Sequence, residues 1–373
     1  MNTQTKQLRD RLLGEINRRQ PEFSAIKSVL SSGICLYGYG FVGKWAYDFL
    51  KTLGADIKMI IDNDEDKIGL TVNNAQIISS SDFSYGDVNG VVVGSRHAAR
   101  SILSSLKDIS IPAISIDSFV VHYYSDSHLP LVEHLLEEDE QSLRVFYSIL
   151  LAMLSGEINF LRNNISYCPF FAEYPFFNID SEVYLDAGAY VGDSFERFVW
   201  SVNGMFKRAY LFEPGKKQFQ SMCFRIARLS KEWCIQPDKI KCENLAIGDS
   251  TGEIKFLDAS NPTQSQQILA SSSETIDQLR VSLASKTSLD DYFKGLSCLP
   301  SIIKVDIEGA ELALLDGGER LIAELKPKIA LSIYHFPSDI FLLPIKVAKL
   351  SQSYRFIMRH HSCMLIETVL YCF

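Results

Sequence analysis

The fold of this chain is decided by the stretch Val183-Tyr-Leu-Asp-Ala-Gly-Ala-Tyr-Val-Gly-Asp-Ser194. Its apolar beginning predicts a short β-strand, its glycines predict a turn, and its end predicts the start of a helix. Gly188 and Gly192 have no Cβ, so backbone N–H groups there can approach a ligand closely. The stretch therefore predicts a strand–turn–helix unit of the kind that surrounds nucleotide-like ligands.

Two more apolar stretches end in acidic residues. Glu213 ends the apolar run of the stretch Ala209-Tyr-Leu-Phe-Glu-Pro214. Three acids, Asp306, Glu308 and Glu311, follow the apolar run of the stretch Ser301-Ile-Ile-Lys-Val-Asp-Ile-Glu-Gly-Ala-Glu311. A carboxylate at the end of such a strand can accept hydrogen bonds from both hydroxyls of a ribose. Together the three stretches predict an open parallel sheet that gathers a nucleoside-like ligand along its carboxyl edge.

Composition and charge narrow the class of protein. With 373 residues, 47% hydrophobic and 22% charged, the chain is long enough for more than one globular domain. Its net charge of −8 disfavours a nucleic-acid partner or an anionic membrane surface. The 8 cysteines are scattered without a C-x-x-C pair, which favours a reducing cytoplasm. The polar N-terminus predicts no signal peptide, and the longest apolar run, Val145 to Leu154, is too short to span a membrane.

Alternating strand and helix patterns divide the chain into parts. We predict an N-terminal helical segment at residues 1–30, a Rossmann-like domain of the nucleotide-binding type at 31–125, a helical and aromatic linker at 126–178, and a second α/β domain at 179–373. Pro21 predicts a break in the first helix. Each α/β part is expected to form a doubly wound, mostly parallel sheet, because strands alternate with helices in both.

The second α/β domain resembles the FkbM family of S-adenosylmethionine-dependent methyltransferases. The matching blocks follow the family order and lie at Leu185–Asp193, Phe212–Pro214, Asn244–Asp249, Ser288–Asp291, Ile303–Leu312 and Thr368–Tyr371. The resemblance implies a class I methyltransferase fold, in which a seven-stranded sheet has an antiparallel last strand. Two apolar stretches near the C-terminus, Tyr354–Arg359 and Glu367–Tyr371, are close enough to form the expected antiparallel hairpin.

The resemblance also implies which residues bind S-adenosylmethionine. We expect the methionyl group near Asp186 and Gly188, the ribose on Glu213, and the transferred methyl near Asp306. The full expected set is Asp186, Gly188, Ala189, Tyr190, Gly192, Glu213, Pro214, Ala246, Asp249 and Asp306. Glu213 could instead be a helix-start acid, and Asp249 could cap a turn with Gly248. Tyr190 departs from the asparagine that many family members carry there.

Acids and a histidine at predicted strand ends are the candidate catalytic groups. Asp306 and Glu308 are two residues apart and share one face if the strand continues. Such carboxylates can complement a sulfonium charge, deprotonate a hydroxyl or bind a metal, or Glu308 and Glu311 can cap the next helix. A neutral His335 would be a competent general base near pH 7, although a structural role is the alternative. Methyl transfer needs no metal, and the sequence shows no convincing metal-ligand spacing, so no metal centre is predicted.

The first α/β domain carries its own ligand-binding pattern. Gly38-Tyr-Gly-Phe-Val-Gly43 follows a predicted strand, and Asp62 ends the next strand 19 residues after Gly43, a spacing typical of an acid on a ribose. The stretch Ile60–Gly69 resembles small Rossmann units found on sugar-modifying acyltransferases and some sugar methyltransferases. The resemblance implies binding of a nucleotide or nucleotide-sugar; a structural or dimerising role, and hence a homodimer, is the alternative.

These patterns predict an S-adenosylmethionine-dependent O-methyltransferase. Its acceptor is expected to be a hydroxyl of a sugar, glycan precursor or related natural product. Two loops, Phe170 to Phe177 and Ser260 to Glu274, are expected to close over the site. The alternatives are a nucleotide-sugar-binding protein and an NAD-dependent oxidoreductase that uses the N-terminal domain.

Overall fold

The computed structural model describes residues 1–108, 110–166, 170–171, 181–257, 267–268 and 281–373. The two loops expected to close over the site lie outside these residues, except at residues 170–171 and 267–268. Their role as lids therefore stays a prediction.

The N-terminal sheet contains six of the described strands and is flanked by helices. Its elements are α1 (Thr3–Val29), β1 (Ile34–Tyr37), α2 (Phe41–Thr52), β2 (Ile57–Ile61), β3 (Thr71–Val72), β4 (Ala75–Ile78), β5 (Val91–Val93), α3 (Ala99–Ser105) and β6 (Ala113–Ser115). The strand order is β3-β4-β2-β1-β5-β6. Neighbouring strands are parallel except β3 with β4. This confirms the predicted doubly wound sheet.

A helical layer joins the predicted N-terminal segment to the predicted linker. It contains α1 and the helices α4 (Ile116–Ser125), α5 (Leu129–Leu136) and α6 (Glu140–Ser155). Helix α1 packs against α4 and α6, and Arg9 pairs with Glu133 of α5 at 2.7 Å. The predicted break at Pro21 is wrong, because this proline lies on the exposed face while Phe23 and Ile26 keep the helix packed.

The C-terminal domain holds a larger sheet and a smaller one. Its elements are β7 (Val183–Ala187), α7 (Asp193–Ser201), β8 (Arg208–Phe212), α8 (Lys216–Glu232), β9 (Ile240–Glu243), β10 (Ala246–Ile247), β11 (Gly252–Leu257), β12 (Gln267–Ile268), β13 (Val281–Thr287), α9 (Leu289–Tyr292), β14 (Ile302–Val305), α10 (Glu311–Gly317), α11 (Glu319–Leu325), β15 (Lys328–Ser332), α12 (Asp339–Leu350), β16 (Phe356–His360) and β17 (Thr368–Cys372).

The larger sheet has the topology that the family resemblance implies. Its seven described strands follow the order β16-β17-β15-β14-β7-β8-β9. Strand β17 runs antiparallel to both β15 and β16, while the pairs from β15 to β9 are parallel. The predicted antiparallel last strand and C-terminal hairpin are thus confirmed. The smaller sheet, β10-β13-β11-β12, has no counterpart in the sequence predictions.

The central strands of the larger sheet are wholly buried, which exposes only their ends to a ligand. Every residue of β7 and of β14 is buried, as expected for parallel strands covered on both faces. Their carboxyl ends open at the same edge, where ligands of α/β proteins bind.

Of the helices in the described part of the chain, none combines the length and apolar character that crossing a bilayer requires.

The two domains meet beside this edge. Phe336 stacks on Phe41 and Trp45 of α2, with ring centroids 5.0 and 5.5 Å apart. Nη1 of Arg96 donates to the carbonyl oxygens of Tyr334 at 2.9 Å and Leu365 at 3.2 Å. The carboxyl edge of the N-terminal sheet is thereby held against that of the C-terminal sheet.

Candidate active site

The turn after β7 has a shape that only glycine fits. Gly188 has φ +81°, and a Cβ there would lie 1.9 Å from the carbonyl oxygen of Asp306. The N–H groups of Gly188 and Ala189 both donate to Phe212 O, at 3.1 and 2.9 Å. The ends of β7, β8 and β14 are therefore drawn together around this glycine.

A buried ion pair supports the turn from behind. Nζ of Lys304 lies 3.0 Å from Oδ1 of Asp186 and donates to Gly188 O at 2.7 Å. The Tyr184 hydroxyl donates to Oδ2 of Asp186 at 3.0 Å. Burial lowers the pKa of Lys304. The nearby carboxylates, Asp186 foremost, outweigh burial, so that the pKa of Lys304 is raised above its ordinary value. Lys304 thus orients Asp186 on the neighbouring strand and the glycine turn, rather than Asp306, the acid two residues away in sequence.

Glu213 lies at the end of β8 and is held by the backbone. Oε2 accepts from Tyr190 N at 2.9 Å, and Oε1 accepts from Gly215 N at 2.8 Å. Burial raises the pKa of Glu213 to about 7, although both backbone N–H groups oppose the shift. Asn244 fixes the following turn, since its Nδ2 donates to the carbonyl oxygens of Glu213 and Pro214 at 2.8 and 2.9 Å.

A cavity of about 610 Å³ opens in front of these groups, and we call it the donor cavity. It brings together seven of the residues predicted for the site: Gly188, Tyr190, Glu213, Pro214, Ala246, Asp306 and Glu308. Its lining also includes side chains outside the predicted set of site residues, among them Arg197, Lys304, Tyr334 and Glu367.

The other predicted residues lie elsewhere. Asp186 is fully buried behind the turn, and Ala189 packs in the hydrophobic core. Gly192 precedes α7 as its N-cap residue, with φ +81°. Asp249 is exposed, and its Oδ1 accepts from Nζ of Lys286 at 2.5 Å, which lowers the pKa of Asp249. Leu245, Ala246 and Ile247 line the cavity where Asp249 was expected to contribute.

His335 follows β15 and is surrounded by carboxylates. Its Nδ1 lies 3.0 Å from Oε1 of Glu311, and its Nε2 lies 3.5 Å from both Asp306 Oδ1 and Glu308 Oε2. Burial lowers the pKa of His335, but these carboxylates, Glu311 foremost, outweigh burial and raise the pKa to about 10. The imidazole is therefore positively charged at neutral pH, and the predicted neutral form is wrong.

Two of the carboxylates around His335 also accept hydrogen bonds from neighbouring groups. Oε1 of Glu311 also accepts from Ile307 N at 3.0 Å, which fastens the turn between β14 and α10. The Tyr334 hydroxyl donates to Oδ1 of Asp306 at 3.2 Å.

The fold brings potential ligand atoms of Asp306, Glu311 and His335 within 4.8 Å of one another. Such a group can hold a metal ion, and the spacing of these residues in the sequence did not reveal it.

A second cavity, of about 900 Å³, lies between the domains, and we call it the interdomain cavity. Gly38, Gly40 and Asp62 line it from the N-terminal domain, and His335 lines it from the C-terminal domain. Glu308, Tyr334 and Glu367 line both cavities. The two cavities therefore meet at Glu308, Tyr334 and Glu367.

The comparison with protein families identifies this chain as a methyltransferase. Residues 186–360 match the family model of the methyltransferase FkbM domain, and the chain therefore carries an FkbM methyltransferase domain. A search of curated proteins gave no significant match. The predicted recognition is thus confirmed for the C-terminal domain.

A comparison with solved structures found several similar proteins. The methyltransferase FkbM from Methylobacillus flagellatus KT has a TM-score of 0.60 at 20% identity, covering 99% of this chain and 100% of that one. An rRNA methylase from Streptococcus thermophilus has a TM-score of 0.32 at 12% identity, with 52% and 86% covered. Aeropyrum pernix fibrillarin, in complex with S-adenosyl-L-methionine, has a TM-score of 0.30 at 8% identity, with 52% and 66% covered. Only the first likeness is strong enough to bear on the fold, and it includes the N-terminal domain.

Proposed function

We propose that this protein is an S-adenosylmethionine-dependent O-methyltransferase that acts on a hydroxyl of a sugar, glycan precursor or related natural product. The observation that carries the proposal is the meeting of two cavities at Glu308, Tyr334 and Glu367. One cavity has the features of a methyl-donor site, and the other reaches the same carboxylates from the opposite domain.

The residues of the donor cavity fit S-adenosylmethionine. A Cβ at Gly188 would fill the turn, and the carboxylate of Glu213 keeps acceptor capacity for ribose hydroxyls beyond its two backbone bonds. Apolar side chains at Leu245 and Ile247 offer a surface for a purine ring. When bound, this cofactor supplies a methyl group that is already activated for displacement by its sulfonium.

The acceptor hydroxyl must lose a proton as it takes the methyl group. In the balanced reaction, the acceptor O–H bond breaks, an O–CH₃ bond forms, the S–CH₃ bond breaks, and the proton passes to a protein base. We assign Glu308 as that base, because its carboxylate lines both cavities. Asp306 lines the donor cavity and is oriented by Tyr334.

His335 has a different role from the one its position suggested. A protonated imidazole cannot accept the proton of a hydroxyl. Its positive charge, 3.5 Å from Glu308 and Asp306, instead holds both carboxylates in place. We therefore assign His335 as a positioning residue.

Calorimetric titration with S-adenosylhomocysteine tests the donor site. The wild-type protein is expected to bind it, and Glu213→Ala is expected to abolish binding while Asp249→Ala, which removes an exposed acid outside the cavity, keeps it. Absence of binding to the wild-type protein would overturn the proposal. Equal binding to the Glu213→Ala variant would overturn the ribose assignment.

A further inference from the structure

We propose that a third cavity, which lies in the helical layer, binds a sugar that carries a carboxylate or a phosphate. Its volume is about 770 Å³, within the range of roughly 300–1,000 Å³ that is usual for small-ligand sites. We call it the polar cavity. None of the described residues that line it also lines the donor cavity or the interdomain cavity. The inference therefore goes beyond the proposed function and does not depend on it.

The polar cavity lies between one face of α1 and one face of α6. Helix α1 contributes residues at a spacing of three and four positions, namely Gln4, Gln7, Leu8 and Arg11. Helix α6 contributes a second such row, namely Gln141, Arg144 and Ser148. Residues of the chain that follows α6 complete the lining, and Nδ2 of Asn164 ties this chain to the helix by donating to Ser148 Oγ at 2.9 Å. Three separate segments thus fix the shape of the cavity.

Side-chain amides dominate the lining. Six of its thirteen residues are Asn or Gln. Four of these amides make no hydrogen bond with the described residues, namely Gln4, Gln7, Asn159 and Asn163. An amide offers a donor and an acceptor side by side, and each hydroxyl of a sugar can both donate and accept. The cavity is therefore suited to a ligand with many hydroxyl groups.

Arg11 adds a positive charge whose N–H groups are available to a ligand. Its guanidinium carbon lies 4.5 Å from the centre of the Phe160 ring, a cation–π contact that uses no hydrogen-bond acceptor. Glu15, one turn further along α1, is paired with Arg18 at 2.7 Å and with Arg19 at 3.4 Å. Arg11 has no ion-pair partner among the described residues. Phe160 thus positions a guanidinium that no protein carboxylate neutralises.

The other charges of the lining leave the cavity with an excess of positive charge. Arg144 reaches Glu140 only at 3.8 Å. Glu157 is the one acid among the described lining residues, and it lies 3.6 Å from Arg100, which is not part of the lining. A planar guanidinium can bind two oxygens of a carboxylate or phosphate at once. The sugar that fits this cavity therefore carries such an anionic group.

The polar cavity and the donor cavity adjoin the same short segment of chain. Ile165 lines the polar cavity and pairs with His360. Ser166 N donates to His360 O at 2.7 Å, and Nδ1 of His361 lies 2.8 Å from Ser166 O. His361 in turn lines the donor cavity. A sugar in the polar cavity would thus be held next to the chain that supports the wall of the donor cavity.

Calorimetric titration of the full chain with glucuronate, glucose 6-phosphate, glucose and inorganic phosphate tests the inference. At least one of the two acidic sugars is expected to bind about tenfold more tightly than either glucose or inorganic phosphate, because only an acidic sugar engages both the amides and the arginines. The tighter of the two identifies the anionic group as a carboxylate or a phosphate. Binding of glucose or of inorganic phosphate as tightly as both acidic sugars would overturn the inference.

Three variants assign this binding to the polar cavity. Arg11→Gln is expected to weaken it about tenfold or more, because charge-assisted hydrogen bonds are lost. Asn163→Asp, on a different segment, keeps the size of the side chain but adds a negative charge, and should weaken binding to a similar extent. Arg18→Gln removes an exposed arginine of the same helix that does not line the cavity, and should leave binding unchanged. Equal binding to wild type and Arg11→Gln would overturn the inference.

S-adenosylhomocysteine separates this inference from the proposed function. It is expected to bind wild type and all three variants alike, because none of the changed residues lines the donor cavity. If S-adenosylhomocysteine binds but neither acidic sugar does, the inference fails and the proposed function stands. If an acidic sugar binds and Arg11→Gln loses it, while S-adenosylhomocysteine does not bind wild type, the inference stands and the proposed function fails.

Discussion

Nδ1 of His335 lies 3.0 Å from Oε1 of Glu311, and both side chains are almost completely buried. His335 follows β15, and Glu311 begins α10, the helix that follows β14; their encounter is therefore a product of the parallel pairing of β14 with β15. Because Asp306 and Glu308 approach the same imidazole, the cluster carries more negative than positive charge. This balance explains why burial fails to keep His335 neutral.

The charge of His335 predicts a pH dependence of stability. Its folded pKa of about 10 lies above the ordinary value of 6.5, so its contribution is fully present below about pH 6.5. That contribution is expected to disappear as the pH rises from 6.5 to 10. The difference in unfolding free energy between wild type and His335→Gln, measured by urea denaturation at pH 6 and pH 9, should shrink at the higher pH. A difference that grows with pH would contradict a charged His335.

Replacement of Glu308 is expected to slow the reaction without affecting the cofactor. Glu308→Gln removes the proposed base but keeps its size, and turnover of a sugar acceptor should fall by about 10² to 10⁴-fold. The affinity for S-adenosylhomocysteine should stay within about twofold, since binding does not require the proton transfer. Glu324→Gln, which changes an exposed acid on α11, is the matched control and should leave turnover unchanged. Full activity of Glu308→Gln would remove Glu308 from the role of base.

Cofactor affinity is expected to depend on the protonation of Glu213. Its pKa of about 7 means that Glu213 is about half protonated at neutral pH and mostly protonated one pH unit lower. Ribose hydroxyls donate to the ionised form, so affinity for S-adenosylhomocysteine should fall by up to about tenfold for each pH unit below 7. Calorimetry between pH 5.5 and 8 checks this slope. Glu213→Gln should bind more weakly and with a flatter pH dependence; an unchanged slope would assign the titration to another group.

The sequence predicts the larger sheet well because its signals are local. Apolar runs that end in Asp186, Glu213 and Asp306 mark β7, β8 and β14, and the family resemblance supplies their order. What the sequence does not reveal depends on contacts between distant residues. Lys304 has Asp306 two positions away, yet its ion pair goes to Asp186 on the neighbouring strand, because β14 and β7 are paired in register.

The sequence also did not predict the charge of His335 or the ion-pair partner of Asp249. His335 reads as a neutral base when considered alone, and only the convergence of carboxylates around it gives it a positive charge. Asp249 follows the family motif, but the strand pairing that aligns β10 with β13 brings Lys286 beside it at the surface. In both cases the identity of the residue was predictable, whereas its partner was not.

The contribution of the ion pair between Lys304 and Asp186 to stability can be measured without knowing the acceptor. Lys304→Met leaves a buried carboxylate without its cation, and the unfolding free energy should fall by about 3–5 kcal/mol. The double variant Asp186→Asn with Lys304→Met removes both charges and should recover a large part of that loss. Urea denaturation of the single and double variants measures the coupling. Because Lys304 also donates to Gly188 O, both variants should bind S-adenosylhomocysteine more weakly than wild type even where stability is recovered. Additive losses of stability would show that the two side chains do not stabilise the turn as a pair.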